Sequence, residues 1–216
     1  MENPTKTKVF ITGINSDLIK EFLRKVAFDK YEIWGLSRKK IEIEGCTILT
    51  GDLLEVSSWI TQIRNFDVII HAAAITHTAN EDDYYAINYK ATQQLIDLSL
   101  QNGIKKFVFI SSRAAHPKAG GYGNAKFLAE EYLKKTHPHY LIFRPAEIFG
   151  GFKGEGINPF IEDAIHKTVH PCPVGLEHKL CPIFLDDVVT LLYQMGLNDP
   201  SLKNTSVTLN GPDAYS

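Results

Sequence analysis

Phe107-Val-Phe-Ile-Ser-Ser-Arg-Ala-Ala-His116, then a short loop rich in proline and glycine, then Tyr122-Gly-Asn-Ala-Lys126: this stretch decides how the chain is read. A run of β-branched and aromatic residues ending in two hydroxyls reads as a strand that stops at Ser111-Ser112. Tyr122 and Lys126 are four residues apart, so on a helix they share one face. If that helix packs beside the strand's end, a hydroxyl, a phenol and an ammonium converge in one crevice. An ammonium beside a phenol favours the phenolate and lowers the tyrosine pKa from about 10. The expected roles follow: Tyr122 is an acid/base, and Ser112 holds the reacting oxygen.

The same grammar extends towards the N-terminus. Lys8-Val-Phe-Ile-Thr12 is a short apolar run stopped by Gly13. Leu18, Ile19, Phe22, Leu23 and Val26 follow at helical spacing, with Ser16 or Asp17 as the cap. A strand, a tight turn and a helix N-terminus with free N–H groups suit a phosphate. Further strands are expected at Tyr31–Arg38, Cys46–Thr50, Asp67–Ala74 and His139–Pro145. Helices are expected over Val56–Arg64, Glu81–Asn102 and Tyr122–Lys135. The run Asp67-Val-Ile-Ile-His-Ala-Ala-Ala74 is continuously apolar, as in strands covered on both faces of a parallel sheet.

Strands alternating with helices predict an α/β, doubly wound parallel sheet. Ligands bind such sheets at the carboxyl ends of the strands. Gly13, Arg38, Asp52, Ala72–Ala74, Ser112 and Pro145 all fall at or just beyond those ends. After Gly150 the pattern loosens. Phe152–Gly156 is a glycine-rich loop, Pro159–Thr168 a short helix and His170-Pro-Cys-Pro173 an extended breaker. Asp186–Leu197 reads as a helix and Ser206–Asn210 as a strand. The regular alternation thus covers residues 1–150, and residues 151–216 form a smaller, looser portion.

Bulk properties exclude several classes. With 216 residues, 44% hydrophobic, 22% charged and a net charge of −2, the chain has the balance of an ordinary globular domain. It offers no electrostatic reason to bind nucleic acid or an anionic membrane. The polar start, Met1–Lys8, lacks the apolar core of a leader, and no apolar run is long enough to span a bilayer. Three separated cysteines, Cys46, Cys172 and Cys181, argue for reduced thiols and a cytoplasmic location. Cys172 and Cys181 with His170 and His178 read as thiols and loop histidines, and no metal is expected.

Taken together, these residues resemble an extended short-chain dehydrogenase/reductase of the NAD(P)-dependent epimerase/dehydratase group. The resemblance covers roughly residues 8–210. It rests on Thr12-Gly13, Gly51-Asp52-Leu53, His71-Ala-Ala-Ala74, Asn88, Phe109-Ile-Ser-Ser112, Tyr122-x-x-x-Lys126, Arg144-Pro145, Phe149-Gly150 and Phe184-Leu-Asp-Asp187-Val-Val. It implies a Rossmann NAD(P)-binding domain over residues 1–150, a small substrate-binding portion over 151–216 that is either minimal or truncated, and an oxidoreductase, epimerase or dehydratase acting on a nucleotide sugar or a similar carbonyl or alcohol substrate. Tyr122 would be the acid/base, Lys126 would hold the nicotinamide ribose and Ser112 would bond the substrate oxygen. Gly13, Asn15, Ser16, Asp17 and Leu18 would form the phosphate turn, and Ser37 and Arg38 would meet the adenosine ribose. Asp52 and Leu53 would contact the adenine, Ala72, Ala73 and Ala74 would line the cofactor path, and Pro145 would face the nicotinamide. Asn88 would brace the long helix. Members often pair through that helix and the one after Tyr122; the apolar spacing of both helices permits a homodimer, and burial against the sheet explains it equally well.

Three departures stand out. The glycine-rich turn reads Gly13-Ile-Asn-Ser16-Asp-Leu-Ile19, where the family has Gly-x-x-Gly-x-x-Gly. Ser16 could donate to a phosphate, Asp17 places a carboxylate near a diphosphate, and Ile19 must push the helix outward or point elsewhere. The second strand ends in Ser37-Arg38 instead of an acidic residue. A cation there suits a ribose 2′-phosphate and favours NADP over NAD. Glu147 occupies a place where an asparagine often meets a substrate diphosphate, and a carboxylate there would repel one. The degenerate turn and short C-terminal portion motivate an alternative reading: a non-catalytic NADP(H)-binding sensor or scaffold of the same fold.

Overall fold

The apolar runs become strands because each has two faces to bury. The computed structural model describes residues 5–151, 157–166 and 179–215. Its strands are β1 (Thr7–Thr12), β2 (Tyr31–Ser37), β3 (Cys46–Thr50), β4 (Val68–His71), β5 (Lys106–Ile110), β6 (Tyr140–Pro145), β7 (Ile148–Phe149), β8 (Ile183–Phe184) and β9 (Thr205–Leu209). Seven of them form one sheet in the order β3-β2-β1-β4-β5-β6-β9, with every pairing parallel. β7 and β8 pair with each other just beyond β6.

Side chains alternate between two cores, as the pleat requires. Val9, Ile11, Val108 and Ile110 face one core, and Phe10, Phe107 and Phe109 face the other. The first core is closed by α1 (Asp17–Lys25) through Ile19 and Phe22, and by a late helix, Leu185–Leu191, through Val188 and Val189. The second is closed by α2 (Val56–Trp59), α4 (Thr92–Gln101) and α5 (Gly121–Thr136) through Trp59, Leu95, Ile96, Ala129 and Leu133. This is the doubly wound sheet that the alternating pattern predicts.

Several boundaries differ from the expectation, each for a local reason. β4 stops at His71, because the N–H groups of Ala72 and Ala73 turn to the carbonyl and hydroxyl of Thr12. Residues 53–63 form a short α2 between 3-10 turns instead of one regular helix. The long helix begins as α3 (Glu81–Asp83), widens into π-type turns over Tyr84–Ala91 and continues as α4. Beyond β7 come α6 (Asn158–His166) and then α7, the helix Leu185–Leu191. Within the 151–216 stretch expected to bind substrate, α7 and β9 belong to the same layers as residues 5–150: α7 packs on α1, and β9 is the seventh strand. The expected loop 152–156 and breaker 170–173 lie outside the described residues, as do His170, Cys172 and His178.

β1 has β2 on one side and β4 on the other, so the chain crosses over between β3 and β4. That reversal leaves a crevice at the carboxyl ends, the usual ligand position in such a sheet.

Candidate functional site

A cleft of about 410 Å³ opens at this reversal, lined by residues 13–16, 36–38, 51–54 and 72–75 together with Ile87. Of the expected cofactor residues, Gly13, Asn15, Ser16, Ser37, Arg38, Asp52, Leu53, Ala72, Ala73 and Ala74 all line it. Asp17, Leu18, Tyr122, Lys126 and Pro145 do not line it. Ile14, Leu36, Gly51, Leu54 and Ile75 were missed although they flank residues already chosen. Ile87, from the π-type turns, carried no signal in the sequence.

Gly13 makes the first turn possible. Its φ is +75°, and a Cβ there would lie 2.7 Å from the Ala73 nitrogen. Only glycine allows the turn after β1 to lie so close to the backbone leaving β4. The next residue, Ile14, is fully buried over Gly35 of β2, where a Cβ would meet it at 2.6 Å.

Ser16 is the N-cap of α1. Its hydroxyl donates to the Gly13 carbonyl at 2.9 Å and accepts from the Ile19 N–H at 3.3 Å. The proton expected to reach a phosphate is therefore engaged in the turn itself. Ile19 points into the first core, where it is fully buried. Asp17 is buried, with Oδ2 only 2.8 Å from where a Cβ of Gly151 would be. Its carboxylate is thus turned toward Gly151.

Two features of the cleft fit a dinucleotide. The small side chains of Ala72–Ala74 keep one wall low. Arg38 is exposed at the end of β2, with no hydrogen-bond or ion-pair partner among the described residues. Ser37 is occupied in accepting from the Lys39 N–H, and Asp52 in accepting from the Leu54 N–H. Asn88 is buried and bonds both the N–H and the carbonyl of Ile75, at 2.9 and 2.8 Å. It braces the cleft wall after β4.

Farther along the strand ends, α5 brings Tyr122 beside Ser112, close enough for the serine hydroxyl to act on the phenol. The Ser112 Oγ accepts from the Ala114 N–H, which fixes the turn after β5. Tyr84 stands edge-on to Tyr122, with ring centroids 5.9 Å apart. Lys126, one turn after Tyr122, is 1% exposed. Its Nζ donates to the Ile110 carbonyl at 2.7 Å and sits 4.1 Å above the Phe109 ring. Ser112, Tyr122 and Lys126 are thus brought together as expected.

Their electrostatics differ from the expectation. Burial raises the Tyr122 pKa above 10, the neighbouring Ser112 opposes this and Tyr84 adds to it. Burial pushes Lys126 down to about 7, with Glu130 pulling the other way. The ammonium is directed at a backbone carbonyl and an aromatic face, so the expected lowering of the tyrosine is absent from this arrangement.

Pro145 is buried at the end of β6, and its carbonyl accepts from the Arg113 N–H at 2.9 Å. The Arg113 guanidinium donates to both Glu147 oxygens, at 3.2 and 3.1 Å, and to the Lys179 carbonyl. The charge of Glu147, expected to repel a diphosphate, is therefore paired. An apolar cavity of about 510 Å³ lies beyond β7 and β8, walled by Phe149, Ile157, Ile161, Phe184 and Tyr215.

With this geometry in place, comparison with known proteins is informative. The sequence profile of the NAD dependent epimerase/dehydratase family matches residues 9–199. The chain belongs to that family. It is 24% identical over 133 residues to UDP-glucose 4-epimerase of Vibrio cholerae, covering 50% of this chain and 40% of the epimerase. It is 26% identical over 156 residues to the decarboxylating sterol-4-alpha-carboxylate 3-dehydrogenase of Dictyostelium discoideum, covering 59% and 48%. The chain spans about half or less of the length of these curated relatives.

Among solved structures, the Bordetella bronchiseptica enzyme WbmG in complex with NAD superposes with a TM-score of 0.82 at 13% identity, covering 100% of this chain and 76% of that one. MoeE5 with UDP-glucuronic acid and NAD gives 0.83 at 18%, covering 97% and 78%. At these identities the likeness shows the fold. No helix among the described residues is long and apolar enough to cross a membrane.

Proposed function

We propose that this family member is an NADP-dependent epimerase, dehydratase or reductase acting on a nucleotide sugar or a similar carbonyl or alcohol substrate. The observation that carries this reading is the placing of Tyr122 beside Ser112, with Lys126 buried one turn beyond it at the carboxyl ends of the strands. When bound, the nicotinamide nucleotide supplies or accepts the hydride. In the reducing direction Tyr122, kept protonated by burial, donates its phenolic proton to the substrate oxygen while Ser112 holds that oxygen. In the oxidising direction Tyr122 must first lose its proton, with Ser112 opposing the burial that retains it, and Lys126 is proposed to hold the nicotinamide ribose.

Residues 13–16, 52–53 and 72–74 are proposed to hold the adenosine and diphosphate. Arg38 is proposed to pair with a 2′-phosphate, which suits a guanidinium with no partner among the described residues. The nucleotide-sugar reading is supported by the related structures that hold UDP-sugars and by the pairing of Glu147 with Arg113, which offsets a carboxylate that would otherwise repel phosphate.

The test is a titration of the purified protein with NADPH and NADH, followed by nicotinamide fluorescence and repeated on Arg38→Ala. The expected outcome is NADPH binding that weakens about tenfold or more in the variant while NADH binding is unchanged. Equal loss of both would reject the 2′-phosphate contact. Binding of neither would sink the cofactor assignment. Tight binding with no hydride exchange across a panel of nucleotide sugars and aldehydes would favour the sensor or scaffold reading.

A further inference from the structure

Below Lys126 on the same helix lies a second charged group that the proposed chemistry does not use. Glu130 is fully buried, four residues after Lys126, so the two are neighbours along α5. Its carboxylate gathers three elements. Oε1 accepts from the Ser111 hydroxyl at the end of β5 at 2.6 Å. Both oxygens accept from Nε of Arg144 on β6, at 2.9 and 3.0 Å, and Nη2 of Arg144 makes a further short bond to Oε2. Lys134 on α5 lies 3.6 Å from Oε2. A buried carboxylate is tolerated only with such partners, because an unpaired one is costly.

Ser111 directly precedes Ser112, and the Ile110 carbonyl that anchors Lys126 is one residue earlier. The same short stretch is therefore gripped at its backbone by Lys126 and at its side chain by Glu130. Nothing in this arrangement contacts the cleft.

We propose that Glu130 is a positioning residue for the reacting end of the site. It locks the Ile110–Ser112 strand end against α5 and supplies the negative charge that favours the ammonium form of Lys126. The role rests on the reading of Tyr122 and Lys126 given above, yet it can be tested without turnover.

The groups around Lys126 are few. On α5 they are Tyr122 and Glu130. On β5 they are the Ile110 carbonyl and the Phe109 face. On β4 there is His71, which burial holds neutral, and on β6 there is Arg144 behind Glu130. Tyr84 and Tyr85 of the π-type turns meet α5 at Tyr122 and Asn124. Glu130 is the carboxylate whose charge acts on Lys126. Arg144 tempers that charge.

The experiment follows the Lys126 side-chain nitrogen by NMR in lysine-labelled protein, with the signal assigned through Lys126→Arg. Glu130→Gln keeps the shape and removes the charge. The expected result is a folded protein whose Lys126 titration midpoint moves down, with the ammonium fraction at pH 7 reduced about threefold or more. Glu130→Asp is expected to recover part of that loss.

A merely structural role predicts the opposite, because loosening α5 lets water reach Lys126 and moves the midpoint up. An upward or unchanged midpoint in Glu130→Gln overturns the proposal, even if Tyr122 proves catalytic. If that variant does not fold, the double variant Glu130→Met/Arg144→Met serves in its place, because a buried ion pair replaced as a unit by apolar side chains is often tolerated. The midpoint is again expected to move down, and an upward or unchanged midpoint there overturns the proposal as well.

Discussion

The two ends of the crevice are built on different principles. The cleft between β1, β2 and β4 is shaped by backbone: a glycine at φ +75°, a serine whose hydroxyl closes its own turn and three alanines. The end at β5 and β6 is shaped by side chains tied in place: Lys126 to the Ile110 carbonyl, Ser111 and Arg144 to Glu130, with Tyr122 set beside Ser112. The first end makes room, and the second fixes atoms. A ligand is therefore expected to gain affinity at the first and orientation at the second, and substitutions should separate the two properties.

The largest separation is expected from Tyr122→Phe. Removing the phenolic proton should lower turnover on any accepted substrate by about 10²–10⁴, the usual share of general acid–base catalysis. The NADPH dissociation constant should stay within about twofold, because Tyr122 does not line the cleft. Single-turnover kinetics beside the fluorescence titration would read both, and a parallel loss of binding would erase the contrast.

Gly13→Ala tests the other end. The new methyl must adopt a left-handed backbone conformation and meet the Ala73 nitrogen at 2.7 Å. A loss of about 3 kcal/mol in urea unfolding is expected, from backbone strain and steric overlap together. An unchanged midpoint would mean that the turn after β1 is free to move away from β4.

His71 connects the two ends. Its ring is fully buried, bonds Thr12 beneath the cleft and Thr92 on α4, and stacks on Phe109, over which Lys126 sits. Burial lowers its pKa to about 3, and that of His137 to about 4. An unfolded histidine titrates near 6.5, so below that pH the unfolded chain binds protons that the folded chain refuses. Stability from these groups is complete above about pH 6.5. It should be lost as pH falls, by up to about 1.4 kcal/mol per pH unit for each histidine. Urea midpoints taken between pH 7 and pH 4.5 would show the slope, and a flat profile would mean that both rings can reach water while folded.

Ser16→Gly gives the smallest change in stability, a few tenths of a kcal/mol, because glycine is nearly as good an N-cap as serine. It also restores the glycine that the family usually has there. NADPH binding is expected to tighten if the serine's engaged hydroxyl obstructs the phosphate turn. Weaker binding would show that Ser16 itself contacts the ligand.

The sheet was legible because two-sided burial leaves an unmistakable trace: continuous runs such as Phe107–Ile110, several of them ending at a glycine, a serine or a proline. Gly13, Arg38 and Ala72–Ala74 were legible for the same reason, as punctuation at strand ends. What escaped was direction. The sequence contains the hydroxyl of Ser16 but not the Gly13 carbonyl to which it points. It contains Lys126 beside Tyr122, but not the Ile110 carbonyl and Phe109 face that draw the ammonium aside. Glu130 escaped because its partners, Ser111 and Arg144, are 19 and 14 residues away and meet it only once β5, β6 and α5 are packed. The π-type widening that places Ile87 on the cleft has no signature in apolar spacing, which reads the same for one turn of either helix.

The order of the strands has a consequence for how the molecule is made. β2 adds beside β1, and β3 beside β2. β4 then adds on the free side of β1, followed outward by β5, β6 and β9. No strand of the main sheet has to enter between two already paired. The sheet can accrete from its centre as the chain is synthesised, each new strand finding a finished neighbour and an open edge. Assembly of the crevice follows the same sequence: the backbone-shaped end is complete once β4 has joined, and the end tied by side chains only after β6 has brought Arg144 to Glu130.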